Sequence, residues 1–137
     1  MPKTLTIIGG GYIACEFASI FNGLGTKVTL VYRGEMILRG FDHDIRDQVD
    51  RVMRSNGVVI KNNAEVVSID KSVDSLRVEL SNGDKHFSEE VLLAVGRQPR
   101  TEGLGLDSVN LCLTKSGAVQ VDEFQKTSVA SIYAVGD

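Results

Sequence analysis

The sequence predicts an α/β fold, a Rossmann-like doubly wound parallel sheet with an inserted antiparallel β-meander. Three observations support this prediction. Short apolar runs, typical of buried parallel strands, alternate with amphipathic segments at helical spacing. A glycine-rich turn joins the first of these runs to the first helix. Later in the chain, short runs of alternating apolar and polar residues separate two of the parallel strands, as an antiparallel insert does.

The first apolar run, the glycine turn and the helix behind it begin the predicted sheet. Residues 5–8 are apolar and suit a buried strand. Gly9 allows a tight turn, Gly11 lets the backbone approach a pyrophosphate at the helix N-terminus, and Ala14 lets the helix pack close to the strand. Gly25 is expected to end this helix. Its large apolar residues fall at helical spacing and predict an amphipathic face: Ile13, Phe17, Ile20, Phe21 and Leu24.

The second strand, residues 27–31, carries information about the ligand. An NAD site usually places Asp or Glu at the end of this strand, about 20 residues on, to bond the ribose 2′-hydroxyl. Here the strand runs into Tyr32 and Arg33, and the nearest acid, Glu35, lies beyond the strand end. Arg33 and Arg39 can form a guanidinium clamp around a 2′-phosphate, so NADPH is the predicted ligand. The alternative is that both arginines are solvated surface residues.

A second helix and a third strand follow. Asp42 is expected to cap the helix N-terminus, with Asp44 in the first turn interacting favourably with the helix dipole. Asn56 and Gly57 are expected to end the helix. Residues 58–60 are a short apolar run, so the order to this point is β-α-β-α-β, a doubly wound half-unit.

The meander is predicted from three short alternating runs, residues 64–70, 76–80 and 85–88. Asn82–Gly83 between the last two runs is a signal for a two-residue hairpin turn. Residues 91–95 are again continuously apolar, which predicts the return of the chain to the parallel sheet.

Two charged residues follow later apolar runs. Arg97 comes just after residues 91–95, at the carboxyl edge of the sheet, where open α/β sheets bind ligands; the alternative is an exposed loop arginine. Residues 118–121 predict a short strand. Residues 127–137 predict an apolar strand that ends in Asp137, a carboxylate able to bond a sugar hydroxyl. Because this motif stops at its functional residue, we expect the chain to be a piece of a longer protein.

Composition excludes several classes of protein. The chain has 137 residues, 42% of them hydrophobic, which suits one domain, or one domain and part of another. A net charge of −3 does not indicate the basic surface that nucleic-acid binding requires. No apolar run approaches the roughly 20 residues that span a membrane, and no signal peptide is present. We therefore expect a cytoplasmic protein without nucleic-acid or membrane partners.

The cysteines and histidines predict no metal site. Cys15 and Cys112 lie far apart in the sequence and show no paired spacing. Both are interpreted as small buried hydrophobic residues, although a thiol near a helix N-terminus, as at Cys15, can become reactive. His43 and His86 are isolated and are interpreted as surface residues.

Four ordered motifs identify a resemblance. The chain resembles the flavin-dependent pyridine-nucleotide disulfide oxidoreductases over essentially its whole length, and within them the glutathione reductases. The matching segments are residues 9–16, residues 32–33 with 37–39, residues 94–99 and residues 127–137. Residues 38–42 and 120–124 are also similar to the trypanothione reductases.

The resemblance implies roles for the residues around the glycine turn. In the family, an aromatic residue at the position of Tyr12 covers the nicotinamide pocket and moves aside when NADPH enters. A carboxylate at the position of Glu16 helps to organise the nicotinamide side of the flavin. The intervening Ile13 belongs to the same motif, and the arginines at the positions of Arg33 and Arg39 bind the 2′-phosphate.

The resemblance also divides the chain. It implies that residues 1–99 form an NADPH-binding domain, whose groove is lined by Gly96 and Arg97, and that residues 100–137 begin the second piece of an FAD domain. The acid at the position of Asp137 bonds the ribityl chain of FAD.

The complete family enzyme is a homodimer that passes a hydride from NADPH to FAD and then electrons through a cysteine pair to a disulfide, here oxidised glutathione, for thiol redox homeostasis. The cysteine pair, the first FAD lobe and the catalytic His and Glu are not in this sequence. We therefore expect no catalytic residue, no stable FAD binding and no turnover in the chain alone. Alternatives are a trypanothione, mercuric or other disulfide reductase, or a stand-alone nucleotide-binding module. A lipoamide dehydrogenase is disfavoured because Tyr32 and Arg33 stand where an acid would be expected.

Overall fold

A computed structural model describes residues 1–136 of the chain. The chain divides into two compact units, Met1–Gly96 and the part from Arg97 onward. The assignment of residues 1–99 to an NADPH domain and of residues 100–137 to an FAD domain stays a prediction.

The first unit is built from two helices and seven strands. In chain order they are β1 Thr4–Ile8, α1 Tyr12–Gly23, β2 Lys27–Val31, α2 His43–Ser55, β3 Val59–Lys61, β4 Val66–Lys71, β5 Leu76–Leu80, β6 Lys85–Ser88 and β7 Glu90–Leu93. Four strands form a parallel sheet in the order β3-β2-β1-β7, and β4, β5 and β6 form a separate antiparallel sheet. The predicted fold class is confirmed.

The order in which strands are added to the parallel sheet reverses at β1. The chain first adds β2 and β3 on one side of β1, and after the meander it adds β7 on the other side. Ile8 pairs with Val31 of β2 and with Leu93 of β7, so the carboxyl ends of three strands meet at one level. Such a switch point is where open α/β sheets bind ligands. β7 ends two residues earlier than predicted, although the Ala94 N–H still donates to the Ile8 carbonyl at 2.8 Å.

Helix α1 ends as predicted. Gly25 has a φ of +91°, which favours glycine, and its N–H donates to the Asn22 carbonyl at 3.0 Å. The Thr26 N–H donates to the Phe21 carbonyl at 3.0 Å, so the last carbonyls of the helix are satisfied.

The buried face of α1 differs from the predicted one. Small side chains, those of Ala14, Cys15 and Ala18, are buried. Phe17 and Ile20 are exposed, and so is Leu24 beyond the helix end. The prediction was wrong for these three residues, whereas Phe21 does pack against the core. Close contact between a helix and a sheet favours small residues, and the spacing of large apolar residues does not reveal such contact.

Helix α2 begins and ends as predicted. The Asp42 carboxylate accepts hydrogen bonds from the N–H groups of Asp44, at 3.0 Å, and Ile45, at 3.4 Å. Asn56 is the C-cap, and Gly57 follows with a φ of +98°. β3 begins one residue later than predicted.

The three alternating runs form the strands of the meander, as predicted, but the turn between the last two differs from the predicted one. The Leu80 N–H donates to the Asp84 carbonyl at 2.9 Å, so residues 81–83 form a three-residue loop. Gly83 has a φ of +86°, whereas Asn82 does not have a positive φ. A two-residue type I′ turn needs a positive φ at both positions. Val78 and Leu80 of β5 form a second buried cluster with Ala64 and with Val31 of β2, so the meander packs against the end of the parallel sheet.

The second unit contains little regular structure in its described part. A short 3₁₀ helix spans Leu106–Val109. The strand predicted at residues 118–121 is a single bridge between Leu113 and Val119, and no strand forms in residues 127–136. Hydrogen bonds within residues 127–136 explain why no strand forms there. The Thr127 N–H and hydroxyl both donate to the Ile132 carbonyl, at 3.0 and 2.8 Å. They close a loop in place of an extended strand.

None of the helices in residues 1–136 has the length and apolar character that a membrane crossing requires.

We expect Asp42→Ala to lower the free energy of unfolding by about 1 kcal/mol, the usual cost of losing an N-cap. Asp42→Asn is the matched control, because its amide oxygen can still accept from the Asp44 N–H. Urea denaturation of both variants tests this. Equal losses in the two variants would show that the cap contributes nothing beyond the charge at this position.

Candidate functional site

A cleft lies at the carboxyl ends of β1, β2 and β7, at the switch point of the sheet. We name it the glycine-turn cleft; its volume is about 530 Å³. It is lined by residues 8–11, 31–33, 64–66 and 94–96 and by Arg39. Gly9, Gly11, Arg33, Arg39 and Gly96, five of the residues singled out from the sequence, therefore share one cleft.

The glycine turn is confined on two sides. Gly9 has a φ of +134°, and a Cβ there would overlap the carbonyl group of Ala94, just beyond β7. A Cβ at Gly10 would overlap the ring of Tyr32, just beyond β2. Glycine is required at both positions because neighbouring strands leave no room for a side chain.

Neither the backbone conformation nor the packing requires glycine at Gly11. Its φ of −81° suits any residue, and no atom lies within 4 Å of where its Cβ would be. The residue is the N-cap of α1 but provides no side-chain cap. The first intrahelical bond runs from the Cys15 N–H to the Gly11 carbonyl at 3.1 Å, so earlier amides have no partner within the helix. This geometry suits an anion at the helix N-terminus.

Residues 32–39, which we name the arginine loop, fold back onto the glycine turn. The Leu38 N–H donates to the Gly10 carbonyl at 2.6 Å. Ile37 is fully buried and Leu38 is almost so. Both belong to the main core, the buried cluster that they form with apolar residues of β1, α1, β2, α2 and β3. These contacts bring Arg39 to the same cleft as Arg33, which directly follows β2.

Arg33 and Arg39 are the cations of the cleft. Both are exposed, and neither has an ion-pair or hydrogen-bond partner among residues 1–136. Glu35 does not line the cleft. Two free guanidinium groups beside an uncapped helix N-terminus form a site for a ligand that carries several negative charges.

Two further residues were missed by the sequence analysis. Glu65, after β3, lines the cleft, and Arg46 of α2 donates to the carbonyls of Met36 and Ile37 in the arginine loop. Neither belongs to a motif, and only the tertiary structure places Glu65 in the cleft and Arg46 against the arginine loop.

Three predicted site residues on α1 lie outside the glycine-turn cleft. Tyr12 and Glu16 are exposed and line a shallow depression between α1 and α2, together with Phe41. Ile13 is half-buried and lines neither feature. The geometry of the glycine-turn cleft therefore does not support the roles that the family resemblance implies for these three residues.

The remaining predicted residues lie at or beyond the end of the first unit. Gly96 lines the cleft with a φ of +143°. Arg97 begins the second unit, is exposed and has a partner within the structure. Asp137 lies outside the described residues.

The two cysteines differ from each other. Burial, and then the negative charges of Asp50 and Glu16, raise the pKa of the Cys15 thiol to about 11. Cys15 is therefore the inert buried residue that was predicted. Cys112 is exposed, so its prediction as a buried residue was wrong.

The histidines also differ from each other. His43 is exposed, as predicted, whereas His86 on β6 is half-buried. Partial burial, and then the positive charge of Lys61, lower the pKa of His86. In residues 1–136, no three His, Cys, Asp or Glu side chains lie close enough together to hold a metal ion.

Comparison with known proteins identifies the family. The family profile described as pyridine nucleotide-disulphide oxidoreductase matches residues 1–137. The chain belongs to this family. Its members are flavoproteins that use FAD and NAD(P)H.

Two curated members of the pyridine nucleotide-disulphide oxidoreductases show how much of the family is present. Glutathione reductase from Burkholderia cepacia is 45% identical over 136 residues, and trypanothione reductase from Leishmania donovani is 44% identical over 140 residues. Each match covers 99% of this chain but only 30% and 28% of the relatives. The chain thus spans less than a third of their length.

Solved structures in the family have the same fold. The HOCl-induced flavoprotein disulfide reductase RclA from Escherichia coli is 35% identical, with a TM-score of 0.92 over 99% of this chain and 31% of that one. An engineered water-forming NADPH oxidase bound to NADPH is 28% identical, with a TM-score of 0.87 over 99% of this chain and 30% of that one.

We expect Gly9→Ala and Gly11→Ala to separate folding from binding. Gly9→Ala should lower the free energy of unfolding by about 1–3 kcal/mol or more, because its methyl group has no room and the φ is unfavourable. Gly11→Ala should cost at most about 1 kcal/mol of stability, because alanine is a poorer N-cap than glycine, and should weaken NADPH binding by about 1–3 kcal/mol, because Gly11 lines the cleft.

Thermal denaturation and calorimetric titration of the two variants test this. Gly23→Ala is the matched control, since Gly23 is also open to solvent but lies at the other end of α1. Unchanged NADPH affinity in Gly11→Ala would contradict a ligand at this position.

We expect one fast-reacting thiol when the native chain is treated with a disulfide reagent at pH 8. With a pKa of about 11, only about one Cys15 molecule in a thousand is a thiolate at that pH. Cys112→Ser should remove the fast phase and Cys15→Ser should leave it.

The same pKa implies a loss of stability in alkali. A thiol pKa raised by folding stabilises the protein below the unfolded value of about 8.5, and this contribution disappears as the pH rises towards 11. Urea denaturation between pH 7.5 and 10 should therefore show a steeper decline in the native chain than in Cys15→Ser. Equal slopes would contradict the raised pKa.

Proposed function

We propose that this chain is the NADPH-binding part of a flavin-dependent disulfide reductase, in which NADPH delivers a hydride to FAD within the complete protein. One observation carries the proposal. The uncapped N-terminus of α1 and two unpaired arginines, Arg33 and Arg39, line the same cleft at the switch point of a parallel sheet.

The cleft suits the chemistry of NADPH. The free amides and positive dipole end of α1 suit the pyrophosphate, and the open space at Gly11 admits it. Arg33 and Arg39 suit the 2′-phosphate, which carries the charge that distinguishes NADPH from NADH. Gly9 and Gly96 shape the walls of the cleft, and Arg97 is proposed to contact the same coenzyme.

The engineered NADPH oxidase supports this coenzyme choice. This oxidase carries two introduced arginines that lie six positions apart. Directly before the first of them, an alanine replaces an aspartate. Arg33 and Arg39 are also six positions apart, and Tyr32, not an acid, precedes Arg33. The same pattern of basic residues is thus found in a family member that binds NADPH.

The remaining assignments concern the complete protein. Tyr12 and Glu16 are proposed to face the nicotinamide and flavin, with Ile13 in the same motif, and Asp137 is proposed to bond FAD. FAD would supply the electron relay between NADPH and a disulfide. The chain alone is expected to be inactive, while the complete protein is proposed to be a cytoplasmic homodimer that reduces oxidised glutathione.

Trypanothione disulfide is the second candidate substrate. The identities to the trypanothione and glutathione reductases, 44% and 45%, are nearly equal. The arrangement of the glycine-turn cleft favours neither substrate.

We expect the chain to prefer NADPH over NADH by about 1.5–3 kcal/mol, the contribution of one or two charge-assisted bonds. Arg33→Ala should remove most of this preference and leave NADH binding unchanged. Arg51→Ala is the matched control, because Arg51 is an exposed arginine of α2 that pairs with Asp47. Calorimetric titration of each variant with both coenzymes measures the preference.

Equal affinity of the native chain for the two coenzymes would contradict the clamp. Absence of binding to either one, in a chain shown to be folded by circular dichroism, would contradict an autonomous NADPH-binding module.

A further inference from the structure

We propose that Arg46 is a positioning residue that sets the coenzyme preference by holding Arg39 in the glycine-turn cleft. Arg46 lies in the first turns of α2 and does not line the cleft. The inference rests on the proposed function, since it concerns the 2′-phosphate of NADPH.

The guanidinium group of Arg46 joins α2 to the arginine loop. Its Nε donates to the Ile37 carbonyl at 2.8 Å and its Nη2 donates to the Met36 carbonyl at 2.7 Å. The two donors belong to one planar group with fixed geometry, so they fix two consecutive carbonyls relative to each other. A lysine ammonium has no such pair of fixed donors.

The loop needs such support because Leu38 has an unfavourable backbone conformation. Its φ is +56°, a left-handed value that a branched side chain adopts only when its surroundings hold it. On one side, the Leu38 N–H is bonded to the Gly10 carbonyl. On the other, Arg46 holds the carbonyl of the preceding residue, Ile37.

Arg39 directly follows this held segment, whereas Arg33 directly follows β2. Loss of the Arg46 bonds lets Leu38 relax and changes the direction in which the chain leaves it, so Arg39 moves away from the 2′-phosphate. The Gly9 N–H donates to the Val31 carbonyl and the Tyr32 N–H donates to the Lys61 carbonyl, both at 2.9 Å, so the glycine turn and the residue before Arg33 have bonds that do not involve Arg46. The effect of Arg46 should therefore fall on NADPH and not on NADH.

The test is calorimetric titration of this chain and its Arg46→Lys variant with NADPH and with NADH. We expect the ratio of the two affinities to fall roughly tenfold, the equivalent of one charge-assisted hydrogen bond. The NADH affinity should stay within about twofold of its original value, since NADH lacks the phosphate that Arg39 contacts.

Arg54→Lys is the matched control. Arg54 is another arginine of α2, and its Nη1 donates to the Ile60 carbonyl at 3.0 Å. It holds β3 and not the arginine loop, so its replacement should leave the ratio unchanged. A similar fall in both variants would overturn the proposal.

A double-mutant cycle shows whether Arg46 acts through Arg39. In the Arg39→Ala background, Arg46→Lys should have no further effect on the affinity ratio. A merely structural role would instead lower the affinities for both coenzymes, in both backgrounds, and would overturn the proposal.

The outcomes separate this inference from the proposed function. A native preference for NADPH that Arg46→Lys preserves overturns this inference alone. Equal affinities in the native chain overturn both. Arg46→Gln, which keeps one donor group, replaces Arg46→Lys if that variant does not fold. Failure of both to fold overturns the inference, because Arg46 would then be needed for the fold itself.

Discussion

The hydrogen bond from the Leu38 N–H to the Gly10 carbonyl, at 2.6 Å, joins two parts of the site that the sequence keeps almost 30 residues apart. Gly10 belongs to the turn that begins α1, and Leu38 belongs to the loop that carries the arginines. The bond holds the arginine loop against the turn from which α1 begins. Because of it, the positive charges of the site converge on one cleft, and a ligand with two separated phosphate groups can contact both parts.

The sheet gives this bond its fixed position. Gly9 lies so close to Ala94, and Gly10 so close to Tyr32, that a Cβ at either position would overlap these neighbours. The turn is thus confined between the ends of β2 and β7. The loop is confined by the burial of Ile37 and Leu38 in the main core. Packing requires glycine at Gly9 and Gly10, whereas at Gly11 we propose that glycine leaves open space for the ligand, which is a physically separate requirement.

The sequence predicts those features that depend on local patterns. The bounds of β2, the Asp42 cap and the end of α1 at Gly25 follow from neighbouring residues and are confirmed. Features set by distant contacts were missed. Only tertiary packing brings Glu65 to the cleft and Arg46 to the arginine loop. The buried face of α1 contains small residues because the sheet lies close to it, and the strand predicted at residues 118–121 has one bridge in place of a ladder. The roles of Tyr12, Glu16 and Asp137 rest on family resemblance.

The most direct test of the account is ³¹P nuclear magnetic resonance of NADP⁺ bound to this chain, because the 2′-phosphate has its own signal. The second pKa of a phosphate monoester is about 6 in solution. Two adjacent guanidinium groups favour the doubly charged form, so we predict a fall of at least about one unit in this pKa on binding. An unchanged pKa of the 2′-phosphate in the saturated complex would show that Arg33 and Arg39 do not contact it and would contradict the account.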